Sequence, residues 1–178
     1  MRSLFVTQLV ESSDVSAGSV VMWPEGGKGK PCYALKIVPH RPANGATVFQ
    51  EDLLILSPSI EFSVGQLLRG NPRSRVLMLE DAAIAPVLAG GAVELSPAGI
   101  SKPGDLEIWP DRICMRALAA NGAQENPLVD LGSGEILTVD DREQSQRDEV
   151  RFPAIVRHWQ LVRQGKAPSD KEILYRKG

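Results

Sequence analysis

Val20-Val21-Met22-Trp23-Pro24-Glu25 and Asp105-Leu106-Glu107-Ile108-Trp109-Pro110-Asp111 are the two stretches on which the reading of this chain turns. Each is an extended apolar run that ends in Trp-Pro-acid, and each is followed shortly by a cysteine, Cys32 or Cys114. Tryptophan is scarce, three in 178 residues, so two in one local pattern point to a repeated structural unit. Trp at a strand end buries a large area, and the Pro after it stops ladder pairing. The echo therefore speaks to architecture and leaves chemistry open.

Working outward, residues 4–10, 19–23 and 32–38 carry the β-branched and aromatic residues of strands. Between the last two lies a loop, residues 24–31, with three glycines, two prolines, Lys28 and Lys30. Together residues 19–38 read as a hairpin with a long basic tip. Residues 46–50, 53–56, 75–79, 93–95, 106–108 and 113–118 are further strand-like runs, the last two reading as a second hairpin with a much shorter tip. The segments 128–131 and 136–139 flank Gly132-Ser133-Gly134, a third hairpin signal. Two segments read as helical instead. Ser63 with Gln66 fits a capping box, and Gly70 before Pro72 fits a stop, which predicts a short helix over 63–69. Phe152, Ile155, Val156, Trp159 and Val162 recur at one-face helical spacing, with Pro153 in the first turn and Gly165 at the end. Ser169 and Glu172 suggest a second short helix after it.

The expected fold is all-β or β-dominated α+β: two related β-hairpin units sharing one barrel- or sandwich-like core, with C-terminal amphipathic helices. The expected segments are 1–72, 73–140 and a helical appendix at 141–178, within what can be one domain of ordinary size.

Composition removes several classes. A hydrophobic share of 43% and a charged share of 24% are those of a globular protein. Thirteen Pro and sixteen Gly favour many short elements over long helices. The net charge of −2 excludes a globally basic surface, so a nucleic-acid site would be a local patch. No run of apolar residues has membrane-spanning length, and the start lacks the apolar core of a secretory signal, so a cytoplasmic location is expected. Two cysteines make no disulfide framework and are expected to be buried free thiols.

No motif fixes an activity. The Gly26-Gly27-Lys28-Gly29-Lys30 loop is followed by Pro31 and lacks the Ser or Thr of a phosphate-binding loop. Cys32, Cys114, His40 and His158 are too scattered for a structural zinc site. Adjacent acids such as Asp140-Asp141 point in different directions, which suits turns and caps better than shared catalysis. No cofactor is expected. The leading expectation is a non-catalytic binding or assembly module that holds a protein partner, or a second copy, through hairpin tips and the C-terminal helix. Its contact residues would be Phe152, Ile155, Trp159, Val162, Arg157 and Arg163. The alternative is a nucleic-acid-binding β-barrel with Lys28, Lys30, Arg41, Arg69, Arg73 and Arg75 on phosphates. An enzyme working through carboxylates ranks third.

Overall fold

Alternating apolar residues in short runs separated by Gly and Pro turns produce fifteen strands and no α-helix among the described residues. A computed structural model of the chain describes residues 8–23, 31–40, 51–59, 62–70, 73–79, 82–86, 94–95, 101–118, 126–137, 153–164 and 171–177. The first seven strands are β1 (Gln8–Glu11), β2 (Val20–Trp23), β3 (Cys32–His40), β4 (Glu51–Ile55), β5 (Leu67–Leu68), β6 (Arg75–Leu79) and β7 (Ala82–Pro86). The next seven are β8 (Glu94–Leu95), β9 (Leu106–Ile108), β10 (Ile113–Arg116), β11 (Leu128–Asp130), β12 (Ile136–Leu137), β13 (Ala154–Val156) and β14 (Trp159–Gln164). A last strand, β15 (Lys171–Lys177), completes the set.

The repeat announced by the Trp-Pro echo extends through both sets of seven. The first sheet runs β1-β6-β2-β3-β4-β5 and the second β8-β13-β9-β10-β11-β12, the same order with each strand advanced by seven. Register agrees as well as order. Val20 faces Leu35 and Leu79, as Leu106 faces Met115 and Val156. Gln8 faces Met78, as Glu94 faces Ile155. The seventh strand of each set leaves its sheet and pairs with its counterpart. β7 and β14 run antiparallel with Ala82 opposite Arg163 and Trp159 opposite Pro86, a register symmetric about the Ile84–Leu161 pair. β15 adds to the outer edge of β14. The two structural repeats thus span β1–β7 and β8–β14, and Arg75–Leu79 belongs with the first.

Four glycines at positive φ stitch the repeats together. Gly18 (φ 84) and Gly104 (φ 83) each precede a Trp-Pro strand, donating to Lys36 O at 2.8 Å and Arg116 O at 2.7 Å. Gly65 (φ 84) and Gly134 (φ 72) precede β5 and β12. Each accepts a bond from the other repeat: Leu118 N donates to Gly65 O at 2.7 Å, and Val38 N donates to Gly134 O at 2.9 Å. The approach is backbone on backbone. A Cβ on Gly65 would lie 2.5 Å from Gly104 N, and one on Gly134 would lie 2.7 Å from Lys36 O.

Pleating divides the core. From β3, Tyr33, Leu35 and Ile37 point into the main cluster, joined there by Leu106, Met115 and Val129 of the second sheet and by Trp159 and Leu161 of β14. Cys32 and Ala34 point the other way, into a cluster with Val21, Leu53 and Ile55. On the far face of the second sheet, Cys114 packs with Trp109, Leu128 and Leu137. One core is therefore shared by both repeats, and the sheets remain open rather than closing into a barrel.

Two expectations are corrected. Ala154–Val156 and Trp159–Gln164 are strands, and Lys171–Lys177 is a third, so the described C-terminal residues form no amphipathic helix. The helical spacing arises because Ile155, Val156, Trp159 and Val162 belong to two successive strands broken at Arg157-His158, with a register shift between Leu161 and Val162. The short helix over 63–69 is absent as well. Ser63 N does donate to Gln66 Oε1 at 3.1 Å, but the left-handed Gly65 turns the chain into β5 instead of a helix.

Candidate binding cleft

A cleft of about 510 Å³ opens between the repeats. Val20 and Leu35 of the first sheet, Ala82 and Ile84 of β7, and Ile113 and Leu131 of the second repeat make its apolar wall. Gly18, Asp111, Arg112, Asp130, Gly132 and Ser133 make its polar rim. The rim is held by short turns. Trp109 N donates to Arg112 O at 2.9 Å and closes the β9–β10 hairpin around Asp111. Asp130 Oδ1 accepts from Gly132 N at 2.7 Å, an Asx turn that shapes the β11–β12 connection.

Rim charges are paired. Arg112 donates to Asp111 Oδ2 through Nε at 2.9 Å and Nη2 at 2.6 Å. That hydrogen bond holds the Asp111 carboxyl below its ordinary range and raises the Arg112 guanidinium, to which the Asp130 charge adds. Two carboxylates and one guanidinium leave the mouth with an excess of negative charge.

The counterpart of this cleft in the second repeat is full. Register places Leu106 where Val20 stands, Met115 where Leu35 stands, and Trp159 where Ala82 stands. Leu56 N donates to Tyr33 O at 2.8 Å as Leu131 N donates to Ile113 O at 2.9 Å, so Leu56 and Tyr33 answer Leu131 and Ile113. Leu56, Leu106, Met115, Trp159 and Leu161 are all 0% exposed, whereas Ala82, Ile84, Ile113 and Leu131 are only partly buried. The Trp159 indole fills the space and donates from Nε1 to Gly104 O at 2.9 Å. Ala82 against Trp159 is the largest of the differences between the open cleft and the packed core.

The second sheet carries a buried ion pair away from the cleft. Arg116 Nη2 bonds Glu107 Oε1, Arg116 Nε donates to Ser101 Oγ at 2.9 Å, and Nη1 donates to Asn126 O at 2.8 Å. Ser101 Oγ also donates to Glu107 Oε1 at 2.5 Å. Its counterpart in register, Lys36, instead pairs with Asp52 at 2.5 Å. The thiols of Cys32 and Cys114 are buried in separate clusters. Burial, then the Asp130 and Glu107 charges, push the Cys114 thiol up to about 12, so it stays protonated and a poor nucleophile.

Of the residues expected to hold a partner, Ile155, Trp159 and Val162 are buried in β13 and β14 and face no solvent. Arg157 is exposed between those strands, and the backbone of Arg163 pairs with Ala82 and Glu172. Phe152 lies outside the described residues, as do Lys28, Lys30 and Arg41. Arg69, Arg73 and Arg75 are exposed but not gathered on one strand: Arg69 follows the edge strand β5, while Arg75 opens β6 on the other side of β2, β3 and β4. Val20 and Asp111 lie in the Trp-Pro-acid stretches and Gly132-Ser133 in the hairpin signal, but none of these motifs marks a cleft. A further signal is the glycine five positions before each repeated tryptophan, Gly18 before Trp23 and Gly104 before Trp109, which extends the repeat beyond Trp-Pro. No helix among the described residues is long and apolar enough to cross a membrane. Compared with protein-family models, curated proteins and solved structures, the chain matches none.

Proposed function

We propose that the chain is a non-catalytic binding module and that the open cleft between its repeats receives part of a protein partner. The observation that carries the reading is the asymmetry of a duplicated site. The same backbone frame is sealed by Trp159 in one half and left open by Ala82 in the other. An apolar concavity with a few convergent polar groups is the usual form of a binding site, and leaving such surface in water is unfavourable unless something covers it. The rim supports recognition over catalysis. Asp111 is tied to Arg112, and Asp130 uses one carboxylate oxygen to shape its own turn. The neighbouring thiol, Cys114, is held protonated and packed into the core.

Ala82→Trp tests the reading, since it copies the sealed half onto the open one. Peptides selected from a displayed random library against the full chain are expected to lose binding to this variant at least ten-fold, about 1.4 kcal/mol. Peptides that bind both proteins equally would place the binding surface elsewhere.

A further inference from the structure

We infer that the cleft takes a tryptophan side chain of the partner, seated as Trp159 is seated in the other half, with its ring N–H on the Gly18 carbonyl. The inference rests on reading the cleft as the partner site, and it names what enters.

The template is internal to the chain. Gly104, whose carbonyl accepts the Trp159 Nε1, and Gly18, which lines the open cleft, have the same φ within one degree, 83 and 84. Three backbone hydrogen bonds recur around them. Gly18 N donates to Lys36 O and Gly104 N to Arg116 O; the next residue in each case, Ser19 or Asp105, donates back to Ser16 O or Lys102 O. Lys36 N and Arg116 N then donate to Ser19 O and Asp105 O. Because the N–H of residue 19 shares a peptide plane with the carbonyl of Gly18, fixing one fixes the other. The Gly18 carbonyl is thus oriented as the Gly104 carbonyl is, and no hydrogen bond to it is formed among the described residues.

The walls fit a guest of that kind. Where the filled half has Leu106 and Tyr33, the open half has the smaller Val20 and Ile113. Together with Ala82 for Trp159, these differences leave more space in the open seat than in the filled one. An indole brings a large apolar face and one donor, which matches an apolar wall with the Gly18 carbonyl beside it.

The probe is N-acetyl-L-tryptophanamide, titrated into the full, 15N-labelled chain. The expected result is a saturable, millimolar shift of the amides of Ile84, Ile113 and Leu131. The ring-N-methylated derivative, which has no donor, is expected to bind about five-fold more weakly. Ala82→Trp is expected to abolish the shifts, and Ala82→Leu, a smaller plug that is easier to fold around, to weaken them. Equal binding of the methylated derivative overturns the Gly18 contact. Shifts from N-acetyl-leucinamide without any from the tryptophan probe overturn the indole and leave the cleft as a partner site. No shift from either probe overturns both readings.

Discussion

Ala82 and Trp159 hold the same place in the two repeats, directly after β6 and β13 and at opposite ends of the β7–β14 ribbon. Their side chains differ by an indole, and that difference decides whether the frame around them is a core or a cleft. Trp159 is wholly buried and bonded to Gly104 O, so its removal leaves a cavity and takes the indole N–H from that carbonyl. Trp159→Ala is expected to lower stability by about 3–5 kcal/mol. Free indole should restore part of that loss in a concentration-dependent way. Urea denaturation with and without indole reads both effects; a loss below about 1 kcal/mol would mean that the second half does not depend on its plug.

The glycine stitches make a sharp contrast available within one loop. Gly134 has φ 72 and backbone atoms of the other repeat within 3 Å of where a Cβ would sit. Gly132 lies two residues earlier, and a Cβ there would meet only the Asp130 Oδ1 at 3.3 Å. Gly134→Ala should cost about 2–4 kcal/mol, and Gly132→Ala less than about 1. Equal urea midpoints for the two variants would refute the backbone-on-backbone contact.

The ion pair on the second sheet predicts strong non-additivity. Glu107→Ala leaves the Arg116 guanidinium buried without its acid and is expected to cost about 3–5 kcal/mol. The double variant Glu107→Leu with Arg116→Met should recover most of it, because two matched apolar side chains replace two matched charges. A thermodynamic cycle over the parent chain, Glu107→Leu, Arg116→Met and the double variant measures the coupling. Additive single costs would show that the pair is not coupled in the folded chain.

Alkaline stability should report on Cys114. Its folded-state value of about 12 lies above the ordinary 9.0, so the folded chain keeps a proton that the unfolded chain gives up. The thiol's contribution is therefore complete below 9.0 and is lost as pH rises from there towards about 12. Cys114→Ala should show a flatter fall of the urea midpoint across that window than the parent chain. The same burial predicts that Cys114 reacts with a thiol reagent only at the rate at which the second sheet opens. Rapid labelling under native conditions would contradict it.

Local elements and their recurrence are legible in the chain. Trp-Pro closings, Gly and Pro turns and two-residue alternation were enough to locate the hairpins at β2–β3, β9–β10 and β11–β12, since a hairpin's partners are neighbours in the chain. Ser63 and Gln66 show the limit of such local signals, because their capping contact forms on a turn that Gly65 diverts into a strand. Long-range pairing set the rest. Ile155, Trp159 and Val162 read as one helix face because two short strands separated by a bend reproduce that spacing. Trp159 and Val162 pair on one side with the following strand β15, but their other partners, Pro86 and Ala83, and the Glu107 partner of Ile155 lie far back in the chain and leave no local trace. The cleft has the same origin. No property of Ala82 in its own neighbourhood marks it as a vacancy; it becomes one because the fold lays it in the frame that Trp159 fills on the other side.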